Sequence, residues 1–170
     1  MNPDMSPEVS PEMGPTPSAV RIAALQSSDR AAWGRLALGY KTFYQTTLAE
    51  ADYERTWQRL QNGEGVHAWG AWLGGELAGI THYMFHTSAW SDDACYLQDL
   101  FTDEAVRGRG VARALIAAVA QSARERGAPR LYWLTHESNA QARLLYDRVA
   151  RHLGFIRYDI LLGRGDELTC

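Results

Sequence analysis

The sequence predicts an α/β protein, a mixed α+β sheet in which an antiparallel meander is followed by a β-α-β-α-β unit. Three observations predict it. His67–Leu73 and Glu76–His86 are apolar runs on either side of Gly74-Gly75, the pattern of a hairpin. Ala94–Thr102 is a third run, closed by a glycine-rich turn that opens a small-residue helix. Two helical stretches then alternate with apolar runs at 130–135 and 155–162, as in strand–helix–strand crossovers.

A chain of 170 residues with 46% hydrophobic and 22% charged residues has the composition of a globular domain with a real core. Residues 1–18 differ. They hold five of the six prolines, three acids and neither Lys nor Arg, so a disordered tail is expected there and a single domain over 19–170. Without the tail, 17 acids balance 17 bases, and the bases are sixteen arginines plus Lys41. That balance argues against nucleic acid or a membrane surface as partner. No stretch approaches the ~20 apolar residues of a membrane span, and the N-terminus has no secretory pattern. Cys95 and Cys170 fall in no metal or redox spacing, which fits reduced thiols, a cytoplasmic location and no metal site. His82 and His86 would stand about 13 Å apart on one strand face, too far to share a metal.

In chain order, Ala19–Leu25 reads as a strand. Ser27, Ser28 and Asp29 are N-cap candidates for a helix from Arg30 to Lys41, with Trp33, Leu36, Ala37 and Tyr40 on one stripe despite Gly34 and Gly39. Ala49–Gln61 repeats the spacing with Tyr53, Trp57 and Leu60, and Asn62-Gly63 stops it. After the hairpin, Thr87–Asp93 is a polar loop. Gly110–Arg126 carries Val111, Leu115, Ala118, Val119 and Ser122 on one face and ends at Gly127 and Pro129. Arg130–Thr135 is a strand. Ser138 and Gln141 have capping-box spacing for a helix reaching His152, with Ala142, Leu145, Tyr146 and Val149 inward. Gly154 ends it and Phe155–Leu162 is the last strand.

Gly108-Arg109-Gly110 at a helix start offers free amides and a positive dipole end to a phosphate. It is not a dinucleotide fingerprint, because Arg113 occupies the third glycine position, and no Gly-Lys-Ser/Thr makes a Walker loop. Arg107-Gly108-Arg109-Gly110-Val111-Ala112 does fit Arg/Gln-x-x-Gly-x-Gly/Ala. It follows Leu100-Phe101-Thr102, and Asn139 with Ala142, Leu145 and Tyr146 comes 29 residues after Gly110.

On these two motifs, residues 19–162 resemble the GNAT superfamily of acetyl-CoA-dependent N-acetyltransferases. Tyr96–Phe101, Glu137-Ser138-Asn139 and Leu144-Leu145-Tyr146 resemble its histone/polyamine and diamine acetyltransferase branch. The resemblance implies a GNAT-like fold, acetyl-CoA as co-substrate, and a homodimer or higher homo-oligomer. It implies that backbone groups of Leu100 and Thr102 hold the pantetheine arm. It implies too that amides of Arg107 to Ala112 cradle the pyrophosphate, that Asn139 bonds the cofactor, and that Tyr146 sits beside the thioester sulfur.

Transfer to an amine requires a neutral nucleophile, a polarised carbonyl and a stabilised thiolate. An alkylammonium of pKa about 10.4 must first lose a proton. A backbone N–H near Leu100–Phe101 can polarise the carbonyl, and Tyr146, a phenol protonated at neutral pH, is the candidate acid. Gln98 stands where a diamine acetyltransferase carries Glu, and an amide accepts no proton. Asp99 and Glu137 remain, as bases directly or through water, or as binders of the substrate ammonium. Tyr40, Phe43 and Tyr44 are candidates to line the acceptor slot. The acceptor is then a small primary amine, a polyamine or a peptide lysine. The competing reading is a non-catalytic acyl-CoA-binding module that acts through a partner.

Overall fold

The structure, a computed structural model, describes residues 19–160. The tail expected at 1–18 lies outside them, as do 161–170. The chain divides into two compact units, up to Leu134 and from Thr135.

The first unit is a five-stranded mixed sheet in the order β1-β2-β3-β4-β5. Its elements are β1 (Arg21–Ala23), α1 (Arg30–Phe43), α2 (Glu50–Asn62), β2 (His67–Leu73), β3 (Glu76–His86), β4 (Ala94–Thr102), α3 (Val111–Glu125) and β5 (Leu131–Tyr132). The β2–β3 hairpin closes at Leu73 opposite Glu76 across the two glycines, both at positive φ, as a tight primed turn requires. β1 to β4 pair antiparallel and β4–β5 pair parallel. Trp33, Leu36 and Ala37 of α1 and Tyr53 and Trp57 of α2 bury against Trp72, Leu77 and Ile80. Val111 and Leu115 of α3 bury with Ala71, Leu73 and Ala78, the residues of the other face. Trp33, Leu36 and Leu115 are at most 1% exposed, and each such side chain contributes about 1.5–3 kcal/mol of transfer free energy.

Two strands are shorter than their apolar runs. β1 covers three residues and β5 two, because β5 pairs with β4 only through Cys95 and Tyr96, and a strand lasts only as far as its ladder. The outer edge of β4 from Leu97 to Thr102 therefore has no strand partner among the described residues.

The second unit contains α4 (Ala140–Val149). The capping box expected at Ser138 and Gln141 does not form; Asn139 is the N-cap residue, with no side-chain cap. Instead, Asn139 donates its backbone N–H to His136 O (3.0 Å) and Nδ2–H to Thr135 Oγ1 (3.1 Å), which spends its side chain on the turn. The last strand expected at Phe155–Leu162 is a correction: 155–160 has no ladder partner among the described residues, while 161–162 lie outside them. Phe155, Ile156 and Tyr158 are 84%, 74% and 86% exposed. Alternating apolar residues form a strand only where a neighbour supplies backbone partners. No helix of the described residues is long and apolar enough to cross a membrane.

Candidate active site

The site begins with a fault in the β3–β4 ladder. Asp99 pairs with His82, but the next pair is Leu97 with Tyr83, so Gln98 is an extra residue on β4. This β-bulge breaks the two-residue alternation and turns neighbouring side chains to one side. Gln98, Asp99 and Phe101 accordingly line one cavity, of about 110 Å³, with Trp33, Ala37, Tyr40 and Lys41 of α1, Tyr53 and Thr56 of α2, and Ile80 and His82 of β3. Thr81 donates its hydroxyl to Asp99 O at 2.8 Å and ties the bulge to β3.

Asp99 is held from two sides. Its Oδ2 lies 2.8 Å from His82 Nδ1, and the Tyr40 hydroxyl also donates to it. His82 is 6% exposed, and its Nε2 lies 3.0 Å from Trp33 Nε1. An indole N–H can only donate, so Nε2 accepts and Nδ1 carries the hydrogen given to Asp99. Burial works to raise the pKa of Asp99. The hydrogen bonds from His82 and Tyr40 and the charge of Lys41 outweigh it, and hold the carboxyl below the usual carboxylate range. Burial, then the charge of Asp99 and their hydrogen bond, raise the pKa of the Tyr40 phenol far above its ordinary value. Tyr44 is raised by the same first two causes. The cavity thus presents a fixed anion with a phenol beside it.

Tyr53 adds an unusual feature. Its hydroxyl is buried with no hydrogen-bond partner among the described residues, and its side chain lines the cavity.

The glycine loop follows β4. Asp103 caps a short turn by accepting from Ala105 N–H at 3.1 Å, and Arg35 of α1 clamps it at 2.7 Å. Gly108 and Gly110 both have positive φ, and a Cβ on either would meet nothing within 4 Å. Gly110 is the N-cap of α3. The amides of Arg107 and Arg109 donate within the loop, to Glu104 O and Val106 O, both at 3.3 Å. Those of Gly108, Gly110, Val111 and Ala112 have no backbone acceptor among the described residues, so four donors project from the dipole end of a 15-residue helix. That donor set suits a pyrophosphate, and the unpaired outer edge of β4 suits an extended amide-bearing arm.

The sequence-predicted residues are therefore distributed as follows. Tyr40, Gln98, Asp99 and Phe101 meet at one cavity; Tyr44 is outside its lining but packs edge-on against Tyr40 at 5.0 Å. Leu100 points to the α3 side of the sheet. Glu137, Asn139 and Tyr146 belong to the second unit, where Arg143 Nη1 donates to Glu137 O at 3.0 Å and Tyr146 lies on α4. From the sequence, Trp33 and Tyr53 read only as stripe residues of their helices and His82 only as a histidine too far from His86 to share a metal, so none of the three is expected at the site. Only a polar residue in a buried stretch of β3 could have signalled His82. Among the described residues, no group of three or more His, Cys, Asp or Glu is placed to hold a metal.

The model of the acetyltransferase (GNAT) family matches residues 31–155, and the chain belongs to that family. It is 34% identical over 134 residues to the D-amino-acid N-acetyltransferase HPA3 of Saccharomyces cerevisiae, covering 76% of this chain and 83% of that protein. It is also 34% identical over 86 residues to a thialysine N-epsilon-acetyltransferase of Caenorhabditis elegans, covering 51% of this chain and 54% of that one. A solved ribosomal-protein-alanine N-acetyltransferase from Brucella melitensis superposes with a TM-score of 0.70 at 25% identity, over 85% of this chain and 100% of that one. The protein is an N-acetyltransferase of the GNAT family.

Proposed function

We propose that the protein transfers an acetyl group from acetyl-CoA to a small primary amine, by direct attack in a ternary complex, with residues 19–170 as its catalytic domain. The observation that carries this reading is the largely buried carboxyl of Asp99, held by His82 on the wall of a small cavity, with its pKa directed below the usual carboxylate range. Such a group favours a cation over a neutral guest. The two curated relatives are named for D-amino acids and for thialysine, which supports an amine acceptor.

Acetyl-CoA supplies the activated acetyl thioester. The free amides of Gly108, Gly110, Val111 and Ala112 would hold its pyrophosphate, and backbone groups of Leu100, Phe101 and Thr102 its arm. By the family resemblance Asn139 would also bond the cofactor, through a group other than the Nδ2–H and backbone N–H that it gives to Thr135 and His136. Asp99 anchors the acceptor as an ammonium. A carboxyl whose pKa lies below the ordinary range is a weak proton acceptor, so anchoring suits it better than general-base work. Water, or Glu137, takes the proton. The neutral amine would then form the N–C bond as the C–S bond breaks, with Tyr146 giving its phenolic proton to the departing sulfur and regaining one from the second proton that the nitrogen loses. Tyr40 and Gln98 border the acceptor.

This reading places the enzyme in the cytoplasm as a homodimer or larger homo-oligomer. The deciding experiment is thiol release from acetyl-CoA over a panel of amines, with acetylated products identified by mass spectrometry. Release with a primary amine is expected. Cofactor binding without release from any amine would leave an acyl-CoA sensor instead.

A further inference from the structure

The glycine loop leaves the sheet at Asp103, and that residue is tied to three parts of the fold at once. Its N–H donates to Ala78 O of β3 at 2.9 Å. Its Oδ1 and its carbonyl accept from Ala105 and Val106 of the loop, both at 3.1 Å. Its Oδ2 accepts from Arg35 Nη1–H of α1 at 2.7 Å. The other arm of the same guanidinium, Nη2, donates to Leu77 O of β3 at 3.3 Å, so Arg35 bridges the loop and the strand beside it. From Asp103 the pairing runs on toward the helix: Val106 O accepts from Arg109 N–H at 3.3 Å, and Gly110, the N-cap of α3, comes next. The Ala105 amide first, and Arg35 second, hold the Asp103 carboxyl below the usual carboxylate range, so the pair is ionic at neutral pH.

The Arg35 side chain is half-exposed, and an exposed ion pair adds little to the stability of a fold. Its place suggests another use. The amides of Gly108, Gly110, Val111 and Ala112 serve a pyrophosphate only when they converge on it. Two glycines at positive φ give the segment a wide choice of other shapes, and ordering it on binding would cost affinity. We infer that Arg35 is a positioning residue for the cofactor: through Asp103 it fixes where the glycine loop leaves β4, and so holds those four amides ready for the pyrophosphate. This rests on the acetyl-CoA reading and adds to it a residue of α1, 68 positions from the aspartate it grips.

Calorimetry of coenzyme A with the full chain tests it. R35M removes the grip. D103S removes it from the other side, since a serine there still caps the turn but is too short to meet Arg35. Each is expected to raise Kd for coenzyme A about fivefold. The double variant should lose no more than either single one, because the same contact is lost once. R35K, which keeps the charge, should recover most of the affinity. In steady state KM for acetyl-CoA should rise likewise, with kcat and KM for the amine within twofold of wild type. Thermal melting shows whether each variant is folded. An Arg35 that touched the cofactor itself would make R35M weak and leave D103S normal, and that result overturns the inference. An unchanged Kd in folded R35M, or losses that multiply in the double variant, also overturns it. Thiol release from no amine, with Kd for coenzyme A still raised in R35M and D103S, would end the transferase reading and uphold the inference. Wild type that binds no coenzyme A would end both.

Discussion

Gly39 on α1 faces Phe101 on β4 so closely that a Cβ at Gly39 would stand 2.8 Å from the ring Cζ. The glycine that weakens α1 as a sequence pattern is what lets the helix approach the bulged strand. G39A is expected to gain up to about 1 kcal/mol of helix propensity and to lose about 1–3 kcal/mol by overpacking. The ring borders the cavity and can yield toward it. Stability should therefore fall by about 1 kcal/mol in urea unfolding while KM for the amine rises severalfold.

Asp99 has its pKa lowered in the fold, so its contribution to stability is complete above the unfolded value of about 3.9 and disappears as pH falls through the lower folded value. D99N should cost about 1–3 kcal/mol at pH 7, and the gap from wild type should close below about pH 4 in urea melts across that range. KM for the amine should rise about 10- to 100-fold in D99N. In wild type it should show no limb from Asp99 above about pH 5.

On the proposed reading His82 is a positioning residue, because its Nδ1 holds the Asp99 carboxylate at 2.8 Å. H82L removes the Nδ1 donor, whereas H82N keeps an N–H near the same place. H82L should raise KM for the amine at least tenfold, with a smaller change in kcat, and H82N should recover most of it. Equal losses in both variants would mean that His82 only fills space. Imidazole ¹⁵N shifts read the tautomer directly, and hydrogen on Nδ1 is the expected result.

Tyr146 as the acid toward sulfur predicts that Y146F lowers kcat about 100-fold, in the range measured for general acids, with little effect on KM. The alkaline limb of the kcat profile should go with it. Steady-state kinetics with the identified acceptor checks both, and an unchanged kcat would remove Tyr146 from the chemistry.

Cys95 is fully buried, and burial pushes its thiol up to about 11. At pH 8 only about 10⁻³ of it is thiolate. In a C170S background it should react with a disulfide reagent only after unfolding in urea. Rapid labelling of the native protein would reopen a covalent acetyl-enzyme route, which the proposed direct attack excludes.

The sequence by itself determined what local chemistry determines. Apolar period and turn glycines place α1, α2, α3 and the meander to within about two residues, and the hairpin to the residue. The spacing of Arg107, Gly108 and Gly110 marks the glycine loop proposed to hold the pyrophosphate, since φ above zero is a demand that glycine meets without help from the rest of the fold. The tertiary structure alone decided the cavity beside Asp99. The extra residue at Gln98 appears only when β3 and β4 are laid in register, because a bulge leaves a strand's own apolar pattern intact. Trp33 and His82 are 49 residues apart and His82 and Asp99 are 17, so no window along the chain contains the whole hydrogen-bonded series. Likewise, the apolar alternation at 155–160 records a preference for strand, but a strand is a relation between two segments, and its partner is not written in its own residues.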